Sequence, residues 1–293
     1  MKQYSSLLLI GVVVSALLAC GGGGGGDDEP DPGPSPYVPT PTPTDKTSAV
    51  SFTASISDFR TRASGSSFED RDEISVFPVV GNVVGENNRY VCNKGIFSAT
   101  LGITKKESDK LAYYAVSPYS LTTKMQMDFA VQTNQTKRNQ YFASDLMTAT
   151  VASTTSFTPD LQFNHRMSRV CVDFVGDNAS TLPGRVSRIV LKDMHLQATV
   201  DIKADEYVAS GQKGNVTMYF YEDCFYGIIP PQTMPKETSF LIVTLDGQDY
   251  PVYFEEDIVF KSGYDFWIDL SYNEGEGDGQ IVVFKGQISP WRK

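Results

Sequence analysis

Alternation of apolar and polar residues along short segments restricts the fold of this chain more than any other feature of the sequence. Apolar side chains occupy the even positions at Val50, Phe52, Ala54 and Ile56, and serine or threonine fills the positions between them. A period of two places one set of side chains on one face of a strand. The same pattern recurs at residues 111–115, 125–131, 170–174, 196–202, 216–220 and 264–270.

Turn residues separate these segments, and amphipathic helical periodicity does not extend beyond about two turns anywhere. Short strands at regular spacing between turns are typical of all-β sandwiches. Roughly 250 residues follow residue 46, which suits two domains of ordinary size. The patterning breaks at residues 153–159, so we predict one β-sandwich over 47–157 and a second over 158–293.

The N-terminus has the composition of a secretory signal. Lys2 supplies a positive charge, residues 7–18 form a short apolar run, and Leu17-Leu18-Ala19 leads directly to Cys20. The run is short for a membrane span, and the small residue before the cysteine suits cleavage. We predict a signal peptide over 1–19 and lipid attachment at Cys20, the alternative being an ordinary secretory signal in which Cys20 is incidental.

A flexible linker follows over residues 20–46. It contains six glycines at 21–26, three acidic residues at 27–29 and a proline-rich run over 30–43. Glycine makes a chain flexible, and proline alternating with threonine favours extended polyproline II geometry. The segment is therefore predicted to be an extended linker without a hydrophobic core, and it is not counted as part of the folded domains.

Charge excludes some partners. The net charge is −10 and the isoelectric point is about 4.7, so we expect no nucleic acid partner, because phosphates are bound by basic patches. No second apolar run reaches membrane-spanning length, so the lipid on Cys20 would be the sole anchor.

Residues for catalysis, metals and cofactors are sparse, and we expect neither an enzyme nor a cofactor nor a metal site. The two histidines, His165 and His195, lie in apparent strands without metal-ligand spacing, and no nucleophile-elbow or phosphate-loop motif is present. The carboxylate cluster at 255–257 suits a solvated edge. Cys92, Cys171 and Cys224 lack Cys-x-x-Cys spacing; we expect separate thiols in sheets, with a Cys171–Cys224 pair as the alternative.

Six strings, in order, resemble the fimbrillin family, the subunits of Bacteroidales type V pili. They cover essentially the whole mature chain and are as follows: Thr61-Arg62-Ala63 with 68–77 (Phe-Glu-Asp-Arg-Asp-Glu-Ile-Ser-Val-Phe), 111–119 (Leu-Ala-Tyr-Tyr-Ala-Val-Ser-Pro-Tyr), 141–149 (Tyr-Phe-Ala-Ser-Asp-Leu-Met-Thr-Ala), 161–170 (Leu-Gln-Phe-Asn-His-Arg-Met-Ser-Arg-Val), 228–233 (Ile-Ile-Pro-Pro-Gln-Thr) and 288–291 (Ile-Ser-Pro-Trp). Arg71-Asp72 replaces the Gly-Asp that the family usually has. The acidic residues behind Cys20 also resemble the surface-export signal of Bacteroidales lipoproteins, although a plain spacer would look alike.

The resemblance implies two tandem transthyretin-like β-sandwiches and a lipoprotein that reaches the surface of the outer membrane. In such a family a trypsin-like protease cuts pilus-forming members after an arginine or lysine beyond the first strand. The cut releases the lipid together with that strand, and a strand from the C-terminal part of another subunit fills the groove. Such an open, head-to-tail contact makes a filament.

In this chain the resemblance predicts processing after Arg62 or Arg60 and displacement of the strand bearing Val50, Phe52, Ala54 and Ile56. The expected donor follows a glycine-rich acidic stretch at 273–280 and bears Ile281, Val283, Ile288 and Trp291. The alternative is that both terminal strands complete their own domains, which we expect of the first strand in the uncut monomer. The predicted function is a stalk, tip or anchor subunit of a surface fimbria that supports adhesion.

The competing prediction is a surface lipoprotein that binds glycan for a nutrient-uptake system. Such proteins also carry lipidated β-sandwiches and display solvent-facing aromatic rings. Trp267 and Trp291 are the chain's two tryptophans, and Trp267 alternates with apolar residues in a way that would place it opposite a core face.

Overall fold

The computed structural model describes residues 46–56, 67–122, 124–177, 179–273 and 280–290. Nearly all of these residues lie in or between β-strands. The elements, in chain order, are β1 Thr47–Ala49, β2 Phe52–Ile56, β3 Glu73–Val80, β4 Val83–Val84, β5 Asn88–Asn93, β6 Ile96–Ser98, β7 Thr104–Lys106, β8 Leu111–Ser117, β9 Gln126–Ala130, α1 Arg138–Ala143, β10 Met147–Thr154, β11 Asp160–His165, β12 Ser168–Val175, α2 Leu182–Arg185, β13 Val186–Asp201, β14 Glu206–Thr217, β15 Tyr219–Tyr221, β16 Cys224–Ile229, β17 Gln232–Met234, β18 Leu241–Leu245, β19 Gln248–Val252, β20 Ile258–Phe260, β21 Tyr264–Asn273 and β22 Gln280–Pro290.

The N-terminal half forms a sheet that closes on itself. Its strand order is β4-β3-β5-β6-β2-β11-β10-β8, and β3 also pairs with β8, which completes the ring. Closure leaves β2, β3, β5, β6, β8, β10 and β11 with a neighbour on each side. A sheet without open edges satisfies the backbone groups that an edge strand would expose.

Aromatic and β-branched residues fill the interior of this closed sheet, because alternation along each strand sends one set of side chains inward. The buried residues include Phe52, Val76, Tyr90, Phe97, Tyr113 and Phe163. The short pair β1–β7 lies beside it, with Thr47 opposite Lys106.

The C-terminal half contains two five-stranded sheets and a small pair. One sheet has the order β15-β16-β12-β21-β22, the other contains β14-β13-β18-β19 with β9 paired to β13, and β17 pairs with β20. Their apolar residues belong to one buried cluster that includes Val172, Leu191, Val200, Ile228, Val243 and Ile268. This arrangement is a β-sandwich, in which the inward residues of two sheets form a shared core.

Strand β13 is long enough to be shared by two partners along one edge. Its first part pairs with β18, where Ile189 lies opposite Val243, and its last part pairs with β9, where Ala198 lies opposite Phe129. Its other edge pairs with β14 along most of its length. A segment that precedes β10 in sequence thus adds a strand to the C-terminal sandwich.

The structure confirms the all-β class, and the two helices in the described part are one or two turns long. The division at 157/158 stays a prediction. Strands cross that position in both directions: β11, at 160–165, lies in the closed sheet, whereas β9, at 126–130, lies in the sandwich. Alternation identifies each strand but carries no information about which sheet it joins.

Candidate functional site: the first-strand slot

Strand β2 occupies a position between two strands that are distant from it in sequence. It pairs antiparallel with β6, where Phe52 lies opposite Phe97, and parallel with β11, where Thr53 lies opposite Asp160. We call this position, with its two flanking strands, the first-strand slot. The inward alternation is as predicted: Val50 and Phe52 are buried, Ala54 and Ile56 are half-buried, and Thr53 and Ser55 are exposed.

Phe52 is the centre of the slot. Its ring is fully buried and meets Tyr90 and Tyr113 edge to face, with ring centroids 4.9 Å and 5.1 Å away. Edge-to-face pairs add to the energy of burying the ring, because the positive edge of one ring meets the negative face of the other. The slot is therefore shaped for an aromatic residue at this register position.

The hydroxyl of Tyr90 contacts the backbone of two segments beside the slot. It donates to the carbonyl oxygen of Val50 at 3.2 Å and accepts from the N–H of Ile103 at 2.9 Å. Burial raises the pKa of Tyr90, so the neutral form that makes both contacts is favoured. Because the contact to Val50 is to a carbonyl, it depends on backbone register rather than on side-chain identity.

A buried lysine holds the neighbouring loops. Lys105 is 2% exposed, and its ammonium donates to the carbonyl oxygens of Thr155 (2.7 Å), Asp109 (3.2 Å) and Lys106 (3.3 Å). The same ammonium lies 4.0 Å from the centroid of the Phe157 ring. The Phe157 carbonyl in turn accepts from the N–H of Ser51 at 2.9 Å, so Lys105 steadies a loop that contacts the first strand.

The chain is anchored on both sides of the predicted processing site. Arg60 and Arg62 themselves lie outside the described residues. After them, Phe68 packs edge-on against Phe97 and Phe163, with centroids 5.1 Å and 5.0 Å away. Asp70 then accepts the N–H of Lys94 at 2.6 Å. The stretch between Ile56 and Phe68 thus connects two fixed ends, and a cut there would separate the first strand from the rest covalently.

The terminal strand β22 lies at an open edge of the sandwich. Among the described strands it pairs with β21 alone, antiparallel, from Asn273 opposite Gln280 to Tyr264 opposite Pro290. A one-residue shift passes over Phe284, since Leu270 lies opposite Val283 and Asp269 opposite Lys285. Of the predicted donor positions, Ile281, Val283 and Ile288 are paired with Tyr272, Leu270 and Phe266. Trp291 lies outside the described residues.

Two of the sequence strings meet at a polar junction between the closed sheet and the sandwich. Nδ1 of His165 lies 2.9 Å and 3.0 Å from the two carboxylate oxygens of Asp145, and both side chains are nearly buried. Next to them, Arg166 donates to Thr148 of β10 at 2.7 Å and forms an ion pair at 2.9 Å with Asp205, which precedes β14. His165 is therefore a strand residue, as its sequence context indicates, and the structure adds that its partner is a carboxylate.

Inside the sandwich, β12 and β21 are joined by a buried ion pair. Nε of Arg169 donates to Oδ1 of Asp265 at 2.6 Å, and Nη2 contacts the second carboxylate oxygen. The side chains are 1% and 0% exposed. The pair is bidentate, which is the geometry that guanidinium and carboxylate groups favour.

The other predicted residues that the structure describes form no assembled reactive site. Cys92, Cys171 and Cys224 are buried thiols rather than disulfide partners, and burial raises the pKa of Cys92 and of Cys171. The cluster at 255–257 is exposed, and Trp267 is half-buried against the sandwich core.

Within the described ranges, no group of three or more His, Cys, Asp or Glu residues could hold a metal. None of the helices there has the length and apolar character that a membrane span requires. Cys20 lies outside the described residues.

Sequence reasoning found the first strand but missed the residues that hold it. Tyr90, Lys105 and Phe68 lie in segments whose pattern shows only that a strand or loop is present. A lysine flanked by Thr104 and Lys106 gives no sign that it is buried. Their roles come from contacts between segments far apart in sequence, such as those of Lys105 with Thr155 and of Phe68 with Phe163.

The chain is thus all-β, with its first strand inserted into a closed sheet that is followed by a sandwich. The profile of the fimbrillin-like family matches residues 61–291, and the chain belongs to that family. The family consists of structural pilus subunits and not of enzymes, which confirms the expectation that this chain is not an enzyme.

Solved structures share the fold at low sequence identity. A candidate cell adhesion protein from Bacteroides ovatus matches with a TM-score of 0.65 at 17% identity, covering 84% of this chain and 98% of that chain. A second, from Bacteroides uniformis, matches with a TM-score of 0.61 at 16% identity, covering 84% and 99%. A third, from Bacteroides thetaiotaomicron, gives 0.51 at 16%, covering 81% and 100%. No curated protein matches the chain.

Proposed function

We propose that this protein is a structural subunit of a surface fimbria, assembled by strand exchange after a proteolytic cut between β2 and Phe68. The observation that carries the proposal is the first-strand slot. A five-residue strand completes the closed sheet, and it precedes the predicted processing site, so the cut would leave it held by non-covalent contacts alone. Family membership supports a fimbrial role.

Removing β2 would expose an unstable surface. The slot would present unpaired backbone groups of β6 and β11 together with the rings of Tyr90 and Tyr113. Open strand edges beside apolar pockets bind an added strand, which supplies the hydrogen bonds through its backbone and fills the pockets with alternate side chains. The lost strand thus explains how one subunit would receive a strand from another.

The terminal strand is the proposed donor because it is easier to release than a strand with two neighbours. β22 forms one ladder, to β21, whereas β2 forms two. Each strand from one subunit in the slot of the next gives a head-to-tail contact that does not close, and such contacts build filaments.

Limited cleavage of the purified full chain tests the proposal. The chain carries Cys20→Ser so that it stays in solution, a trypsin-like protease cuts it, and the new N-terminus and the mass of the products are measured. We expect a new N-terminus after Arg62 or Arg60 and a ladder of high-mass species. The control carries Arg60→Ala and Arg62→Ala, and it should remain uncut and monomeric. A cut chain that keeps its first strand and stays monomeric would contradict assembly by strand exchange.

The proposed route to the cell surface rests on Cys20. Lipid attached to its thiol would anchor the chain in the outer membrane until the cut separates the linker from the subunit. Labelling cells with a fatty-acid probe and fractionating the membranes tests this step. The Cys20→Ser variant should lose both label and membrane association, while Cys92→Ser, at a buried thiol, should keep both.

A further inference from the structure

Two parallel ladders follow one another directly along the chain. β2 pairs in parallel with β11 over four positions, beginning with Thr53 opposite Asp160. β12 pairs in parallel with β21 over seven positions, beginning with Arg169 opposite Asp265. All other pairs of strands in the described ranges are antiparallel. Since β11 ends at residue 165 and β12 begins at residue 168, residues 166–167 alone connect the two ladders.

The order of these strands decides how tension would act on each ladder. A pull on the N-terminus enters β2 at its N-terminal end and leaves β11 at its C-terminal end, through residues 166–167. The pull then enters β12 at its N-terminal end, and it leaves β21 toward the C-terminus at Asn273. Because parallel strands have their N-terminal ends on the same side, both ladders are pulled at opposite ends, in shear. All hydrogen-bonded pairs of a sheared ladder bear the force together.

The terminal strand is pulled in a different direction. β22 runs antiparallel to β21, and its last residue, Pro290, lies opposite Tyr264, the first residue of β21. The N-terminal end of β12 lies at the same end, since Arg169 is opposite Asp265. A pull on the C-terminus would therefore open the β21–β22 ladder one pair at a time, beginning at Pro290. The force would then pass to Asn273 at the far end of β21.

Hydrogen bonds hold the two-residue connector to both halves of the fold. The N–H of Arg166 donates to the carbonyl oxygen of Leu146, which precedes β10 of the closed sheet, at 2.8 Å. The carbonyl oxygen of Arg166 accepts from the hydroxyl of Ser262 at 2.8 Å, and that of Met167 accepts from the N–H of Gly263 at 2.9 Å. Because Ser262 and Gly263 directly precede β21, a pull on β11 is passed to the first pairs of the β12–β21 ladder.

Side chains reinforce each parallel ladder at the pair where it begins. In the first ladder, the hydroxyl of Thr53 donates to Oδ1 of Asp160 at 2.8 Å. In the second, Arg169 and Asp265 form the buried bidentate ion pair. Charge-assisted bidentate pairs are among the stronger hydrogen bonds in proteins. Both ladders therefore carry a contact between side chains in addition to their backbone hydrogen bonds.

From these observations we infer that β2, β11, β12 and β21 together carry tension through the subunit, with both parallel ladders resisting in shear while β22 separates first. We call these four strands the tension path. The inference rests on the proposed fimbrial role, because a surface filament is pulled along its length. It adds a mechanical function that strand exchange does not require, and it assigns that function to the two ladders joined at residues 166–167.

Pulling on single molecules of the full, uncut chain carrying Cys20→Ser tests the second ladder, because the positions of the handles set the direction of the force. One handle is attached at Asn164→Cys and the other at the C-terminus, which shears the β12–β21 ladder. The matched control moves the second handle to Lys261→Cys, just before β21, which opens the same ladder from one end. Both new thiols stand at exposed positions, whereas the native thiols in the described ranges are buried.

We expect the rupture force in shear to be at least about twice that of the control, because seven pairs share the force instead of one. Forced rupture depends on the rate of unfolding and not on the equilibrium stability. Moving a handle therefore changes the direction of the force on one and the same fold. Each double-handle chain should have the same thermal unfolding temperature, which confirms that the handles leave the fold intact.

The first ladder is tested in the same way with one handle at the N-terminus. The second handle at Asn164→Cys, near the C-terminal end of β11, shears the β2–β11 ladder, and the control at Thr158→Cys, just before β11, opens it from one end. Separation of β1 from β7 is common to both chains. We expect the larger rupture force in shear again, with a smaller difference because this ladder has four pairs.

The chain pulled at its C-terminus gives one further readout. Separation of β22 should precede the main rupture as a step at lower force that lengthens the molecule by about 40 Å, because the twenty residues after Asn273 become extended. The chain with its second handle at Lys261→Cys should lack this step, since the force there does not pass through β22.

The outcomes separate the tension path from the proposed function. Equal rupture forces in shear and in opening would overturn the tension path, and so would a main rupture that precedes the separation of β22. A chain that polymerises after cleavage but shows equal forces would refute the tension path and leave strand exchange standing. A chain that shows the force difference but stays monomeric after cleavage would refute strand exchange and support the tension path.

Discussion

The closed sheet and the C-terminal sandwich hold their terminal strands in different ways. In the closed sheet, β2 has a neighbour on each side, and its backbone also meets the hydroxyl of Tyr90. In the sandwich, β22 has one neighbour among the described strands, which is β21. On its other side, β21 is joined to β12 by the ion pair of Arg169 and Asp265.

The difference shows where each half can lose a strand. Loss of β2 breaks two ladders and opens an aromatic pocket, whereas loss of β22 breaks one ladder and leaves β12 and β21 joined by their buried charges. The sandwich is therefore suited to give up its last strand and remain folded. The closed sheet is suited to bind whichever strand fills its slot.

The largest expected effect comes from breaking the buried ion pair of the sandwich. Arg169→Ala should lower the free energy of unfolding by about 3–5 kcal/mol, because it leaves the carboxylate of Asp265 buried without its partner. Urea denaturation of the uncut chain measures the change. The matched control is Arg89→Ala, which breaks an exposed pair with Glu73 and should cost at most about 1 kcal/mol. Equal effects would show that the sandwich is not held as described.

The next effect concerns the ring at the centre of the slot. Phe52→Leu keeps an apolar residue but removes two edge-to-face contacts, and it should destabilise the uncut chain by about 1–3 kcal/mol. The same change should speed exchange of the first strand for a synthetic peptide of residues 280–293 after cleavage. Ser55→Ala, at an exposed position of the same strand, is the control and should change neither quantity.

The two tyrosines beside Phe52 give a sharper test of what the hydroxyl of Tyr90 contributes. Tyr90→Phe removes contacts to Val50 and Ile103, leaving a buried carbonyl and N–H without them, and should cost about 1–2 kcal/mol. Tyr113→Phe removes a buried hydroxyl for which the described residues offer no hydrogen-bond partner, so it should be neutral or stabilising. Comparable losses from the two variants would contradict the role given to Tyr90.

Tyr113 also predicts a loss of stability at alkaline pH. Burial raises the pKa of Tyr113 to about 12, above the value near 10 that tyrosine has in an unfolded chain. The folded state then binds the proton more tightly, so this contribution to stability is complete below pH 10 and is lost as the pH rises from about 10 to about 12. Tyr113→Phe should therefore shift the alkaline unfolding midpoint upward, as measured by circular dichroism.

The smallest effect should come from the surface contact that follows the processing site. Glu69 and Arg138 form an exposed ion pair at 2.6 Å, and the hydrogen bond and charge of Arg138 lower the pKa of Glu69. Because solvent screens such pairs, Glu69→Gln should change the free energy of unfolding by about 0.5 kcal/mol or less. A larger change would mean that this contact, rather than packing of Phe68, fixes the chain after the cut.

Individual strands show which features of the fold could be predicted from the sequence. Alternation predicted β8, β9, β12 and β21 at nearly their observed bounds, because period-two patterning reports local burial directly. It could not predict that β9 joins the sandwich while β11 joins the closed sheet, because pairing depends on neighbours remote in sequence. For the same reason it gave no sign of the register shift in β22, where Leu270 lies opposite Val283 and Asp269 opposite Lys285.

By itself, the sequence determined the all-β class, the first strand with its inward residues and the family resemblance, since each is written in a local pattern or an ordered set of strings. Only the tertiary structure decided that Tyr90 and Lys105 hold the first strand, that Arg169 meets Asp265, and that Phe284 is passed over where β22 lies. These depend on distances between residues far apart in the chain, and those distances are set when the sheets close and pack.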